Sequence, residues 1–134
     1  MRKLALAASA LGIFAGLGGA SHGPGEMLQG HIAPSNLYIQ AWPSLTALSG
    51  EPAMTIIPSY LITGAFTIFF GVLLAVWSSK FILHKTSGII LIMLSIVLLL
   101  VGGGLIPPFF GIAGGLIALL MNTKSTRYGG ESIE

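Results

Sequence analysis

Apolar side chains fall in long blocks along this chain, and the blocks are too long and too evenly apolar for the one-sided stripe of a soluble helix. From Ile56 to Trp77 no formal charge interrupts the run, Pro58 stands where a first helical turn tolerates a missing N–H, and Tyr60 and Trp77 lie near the two ends. This segment predicts a membrane-spanning helix. Gly88 to Ile106, dominated by Leu and Ile, predicts another, ~28 Å long as helix. Phe109 to Met121 is a shorter block of ~20 Å. Between these two lies a break of Gly102, Gly103, Gly104, Pro107 and Pro108, read here as a tight turn that ends one helix and starts the next. A re-entrant dip of the same residues would return the chain to the same side. The length of the 88–106 block favours a full crossing.

At the start, Met1-Arg2-Lys3 precedes an Ala- and Gly-rich block from Leu4 to Ala20. Two readings fit it, a cleaved signal peptide and a retained first helix. Ala8, Gly12, Gly16 and Ala20 recur every four residues, the small-residue spacing through which membrane helices pack closely, which favours retention. Thr63, Thr67, Gly71 and Ala75 form a second such stripe, expected to pack on the first, and Gly111 and Gly115 a third. The expected fold class is all-α, a polytopic transmembrane helical bundle in one domain over 1–134. Its parts are helix 1 or a signal peptide at 4–20, an extracytoplasmic loop at 21–55, helix 2 at 56–77 and a cytoplasmic loop at 78–87. Helix 3 at 88–106, helix 4 at 109–121 and a disordered cytoplasmic tail at 122–134 complete it. Within the loop, Leu37, Tyr38, Ile39 and Trp42 predict a turn of helix lying at the membrane surface.

Composition supports lipid as the solvent. Of 134 residues 54% are hydrophobic and only 7% charged, where about 25% charged is usual for a soluble domain. All six Lys and Arg residues fall at Arg2 and Lys3, Lys80 and Lys85, and Lys124 and Arg127, while the loop from Ser21 to Thr55 has none. Basic segments stay on the cytoplasmic side, so both termini and the 78–87 loop are placed inside and the long loop outside the cell (plasma or inner) membrane. The net charge of +2 is on this reading a topology signal and carries no nucleic-acid footprint.

Chemistry is sparse. With no Cys and no Asp, the acids are Glu26, Glu51, Glu131 and Glu134. Gly19-Ala20-Ser21-His22-Gly23 has the spacing of a nucleophile elbow but follows an apolar helix where that motif needs a strand, so no catalytic residue is assigned. His22, Glu26 and His31 could offer two imidazoles and a carboxylate to a metal, yet their spacing across glycines matches no helix-borne site, and solvated loop residues are the simpler reading. No cofactor box is present. No ionisable group falls between Ile56 and Trp77 apart from Tyr60, or between Gly88 and Met121.

Val101-Gly102-Gly103-Gly104-x-x-Pro107-Pro108-x-x-Gly111-Ile112, and less clearly Ala41 to Gly50, resembles small prokaryotic integral membrane proteins of uncharacterised function. The resemblance implies a four-helix membrane protein and carries no activity. The expectation is a non-enzymatic accessory or structural subunit whose partners are the bilayer and, through Gly12, Gly16, Thr63, Thr67, Gly71, Gly111 and Gly115, a second copy or a larger membrane complex. The alternatives are an oligomeric small channel or transporter, and metal or ligand binding by the outer loop.

Overall fold

The computed structural model describes residues 2–34, 36–39 and 53–129. Among these, the long helices are α1 (Arg2–Ala20), α3 (Tyr60–Lys80), α4 (Ser87–Leu100) and α5 (Ile106–Gly129), with a one-turn helix α2 (Gly23–Met27) just after α1. A two-residue strand β1 (Tyr38–Ile39) pairs antiparallel with β2 (Ala53–Met54). Where the sequence predicts a turn of helix at Leu37–Trp42, Tyr38 and Ile39 are therefore extended. Trp42 lies outside the described residues, as does the Ala41–Gly50 part of the resemblance.

Three segments are long and apolar enough to cross a membrane: the α1–α2 run Arg2–Met27, Tyr60–Lys80, and Ile106–Thr123 of α5. The third block is shorter than its sequence suggests. Its helix α4 ends at Leu100 instead of continuing to Ile106, because Gly102 and Gly104 take φ of +107° and +76°, a conformation that stops a right-handed helix. The last helix is correspondingly longer. Pro107 and Pro108 sit inside its first turn, where no N–H is required, so α5 begins before Phe109 and runs past Met121 to Gly129, through residues read as a disordered tail. Asn122 Nδ2 donates to the His84 and Lys85 carbonyls and ties this extension to the α3–α4 connection. The second helix starts four residues later than expected. Ser59, extended at φ −161°, caps it by accepting from the Ile62 N–H, and Pro58 precedes the helix.

The four long helices alternate in direction. Ser9 Oγ donates to the Ser78 carbonyl, setting the start of α1 beside the end of α3, and Gly88 opposes Gly115 and Leu119 across α4 and α5. Arg2, Lys3, Lys80 and Lys85 all lie exposed at one end, with α2, the strand pair and the 101–105 turn at the other.

What is buried and what is exposed is inverted relative to a water-soluble bundle. Among the described residues the interior holds Ala8, Ala15 and Ala118, with Ser78, Ser87, Ser95, Thr63 and Thr67 and only three fully buried Leu side chains, Leu74, Leu91 and Leu98. The outside carries Leu17, Phe66, Phe69, Val72, Met93, Phe109, Leu116 and Leu120. Small interior residues with large apolar groups outside are the arrangement by which helices pack closely when the solvent is lipid. At Gly16 a Cβ would stand 2.5 Å from the Gly71 carbonyl oxygen, and at Gly71 one would stand 2.6 Å from that of Gly16. Gly12 abuts Ser78, Gly111 abuts Ser95, and Gly115 presses on Ile92 and the Gly88 carbonyl. Two of the buried hydroxyls bond within their own helices, Ser78 to the Leu74 carbonyl and Ser95 to that of Leu91, both at 2.7 Å.

Candidate functional site

The end of the bundle opposite the exposed lysines contains a buried carboxyl. Glu26, on α2, is only 4% exposed. Its position follows from two glycines. A Cβ on Gly23 would strike Ile68 and the Gly64 carbonyl, and a Cβ on Gly64 would stand 2.8 Å from the Met27 nitrogen, so backbone lies on backbone where α2 crosses α3. That close approach lowers Glu26 onto the Thr63–Thr67 face of α3.

Thr67 Oγ1 lies 3.0 Å from Glu26 Oε2, 2.9 Å from the Thr63 carbonyl and 2.5 Å from the Val101 carbonyl. One hydroxyl thus joins α2, α3 and the end of α4. Gly102 forms the roof. A side chain there would run into Glu26 Oε1 and come within 2.7 Å of Thr63 Cγ2, so this glycine is needed for space as well as for its positive φ. Glu26 Oε1 is buried and has no hydrogen-bond partner among the described residues.

A strap from the loop closes the remaining side. Thr55 makes an isolated antiparallel bridge with Val101, and the Ile56 N–H donates to the Leu100 carbonyl at 3.0 Å. Thr55 Oγ1 meets Thr63 Oγ1 at 3.0 Å and accepts from the Ile57 N–H at 3.1 Å. The Thr55 N–H donates to the Leu37 carbonyl, which continues the strap into the strand pair. The three glycines of the 102–104 turn are all buried beneath this arrangement.

Several residues singled out in the sequence stand elsewhere. His31 is exposed, its Nδ1 3.4 Å from Ser59 Oγ, and His22 is half-buried one turn before Glu26. Among the described residues no three His, Asp or Glu side chains gather as a ligand set for a metal. Ser21 Oγ donates to the Gly18 carbonyl at 2.6 Å, as an ordinary side chain at a helix end. Sequence reasoning placed Glu26 in a solvated loop because Gly23-Pro24-Gly25 surrounds it with turn residues. The available signal was on α3, where Thr63 and Thr67, one turn apart on a packing face, offer hydroxyls that a polar partner could use.

No protein-family model, no curated protein and no solved structure matches this chain.

Proposed function

We propose that this chain is a non-enzymatic, multi-pass protein of the cell membrane that carries a small monovalent cation, with Glu26 as the group that receives it. The observation that carries the reading is the carboxyl of Glu26, 4% exposed and set against the Thr67 hydroxyl and the Val101–Gly102 turn. Ionisable groups at membrane depth are costly, and they persist where a proton or ion pathway uses them. The expected accessory role rested on the small-residue faces, and Gly12, Gly16, Gly71, Gly111 and Gly115 spend those faces on contacts inside their own chain. That shifts the balance toward the transport alternative.

In this reading all four long helices are membrane segments, the end bearing Arg2, Lys3, Lys80 and Lys85 is cytoplasmic, and the Glu26 end faces outward. The first helix is retained, since Ala8, Ala15, Gly12, Gly16 and Gly19 of α1 are buried among α3, α4 and α5. Intact mass of the purified protein should include residues 1–20. Reporter fusions after residues 50 and 83 should read outside and inside respectively.

The deciding experiment is flux in proteoliposomes under an imposed proton or sodium gradient. Wild type should dissipate one of the two faster than protein-free vesicles, and Glu26→Gln should abolish the excess. No flux above background with either ion would refute the transport reading and return the accessory role to first place.

A further inference from the structure

The hydrogen-bond inventory around Glu26 distinguishes a proton from a metal cation as the occupant. Thr67 Oγ1 owns a single proton and two lone pairs. Three acceptor-bearing groups lie around it, and two of them, the Thr63 and Val101 carbonyls, can only accept. The Val101 contact, the shortest at 2.5 Å, takes the hydroxyl proton. The 3.0 Å contact to Glu26 Oε2 is then a hydrogen bond only if the carboxyl itself donates. A carboxylate there would face the lone pairs of Thr67 across 3.0 Å, with Oε1 buried and unpartnered among the described residues as well.

We propose that Glu26 is a proton-binding site, held closed by Thr67 and the Val101–Gly102 turn, and that it exchanges its proton with the outer aqueous phase when the Thr55–Ile57 strap leaves Leu100 and Val101. The chemistry is a single step: the carboxyl O–H bond breaks, the proton passes to water admitted under the strap, and the carboxylate remains to take a proton back. The groups that close the site are Thr63 and Thr67 from α3, Thr55 from the strap and backbone from the 101–104 turn, none of which titrates near neutrality. On the neighbouring turns, His22 precedes Glu26 on its own segment, Tyr60 opens α3, and the turn itself has no titratable residue. The proposal rests on the transport reading for its purpose, but proton occupancy is measurable without flux.

The chain has no cysteine, so a pair introduced by Thr55→Cys and Val101→Cys can be oxidised without competition. Residues opposite one another on an antiparallel bridge are close enough for a disulfide. The full-length protein in lipid nanodiscs is taken through a pH step and followed by infrared difference spectroscopy of the protonated carboxyl band. Glu26→Gln identifies the Glu26 contribution and Glu26→Asp, which keeps the carboxyl, should retain a shifted band. In the cysteine pair, oxidation should slow the response by about tenfold or more, and reduction should restore it, because the opening that admits water has been removed.

A spectrum in which neither Glu26→Gln nor Glu26→Asp alters any carboxyl band overturns the proton site. Equal rates in the oxidised and reduced pair overturn the strap. A pH-responsive, strap-dependent Glu26 in a protein that moves no ion would leave the proton site standing and remove the transport reading. Sodium flux with a silent carboxyl band would do the reverse.

Discussion

Replacing Gly71 by Ala tests whether the α1–α3 contact holds this bundle together. The added Cβ would stand 2.6 Å from the Gly16 carbonyl oxygen, 2.7 Å from the Ala20 nitrogen and 2.8 Å from the Ala20 Cβ, about 0.8 Å or less inside the 3.4 Å at which ordinary contact begins. Two of these neighbours are backbone atoms and cannot rotate away, so the helices must part. A gap of 0.5–1 Å forfeits roughly a quarter to a half of the dispersion energy at each facing atom pair. In lipid that attraction is a principal force between helices. Overpacking of this kind costs ~1–3 kcal/mol, partly offset by the better helix propensity of Ala. Unfolding in mixed micelles, followed by the fluorescence of Trp77 and Trp42, gives the loss directly. Gly16→Ala meets Gly71 and Ala75 in the same way, and because one separation relieves both clashes the double variant should lose less than the sum. Gly25→Ala, with nothing within 4 Å of the new methyl, is the control and should lie within ~0.5 kcal/mol of wild type. If Gly71→Ala were as stable as Gly25→Ala, the close approach of α1 and α3 would be refuted.

Gly102→Ala combines a φ of +107° with a collision on the Glu26 carboxyl, so a loss of ~2 kcal/mol or more is expected in the same unfolding assay. Thr67→Val keeps the shape and removes the hydroxyl shared by Glu26 and the Val101 carbonyl; leaving those buried groups unsatisfied should cost ~1–3 kcal/mol, and Thr67→Ser should recover most of it. Asn122→Ala removes the donor to the His84 and Lys85 carbonyls, and amide exchange should rise in the 81–86 connection and the last turns of α5 while the α1–α3 contact keeps its protection.

The apolar blocks and the placement of Lys and Arg were readable without coordinates, because both depend on local composition: a helix in lipid must be apolar along its whole surface, and basic groups collect on one side. The glycine stripes were readable too, since four-residue spacing puts small side chains on one face of any helix. Helix ends were read less well. Pro107 and Pro108 look like an interruption in a linear reading, yet they fit a first turn, and the true stop is the positive φ of Gly102 and Gly104 a few residues earlier. Partner choice was only partly in the pattern. Stripes that suit a second copy equally suit the chain's own helices; the expected packing of the Gly71 stripe on the Gly16 stripe is found within the chain, whereas only the folded arrangement assigns Gly115 to Gly88.

Glu26 marks the same limit at the site. By itself the sequence determines that a lone acid follows the first apolar block and that two threonines lie one turn apart on the second. Tertiary structure alone decides that they meet. The crossing of α2 over α3 at Gly23 and Gly64 and the turn at Gly102 bring together residues distant along the chain, and that proximity turns a nominal loop glutamate into a carboxyl enclosed by protein.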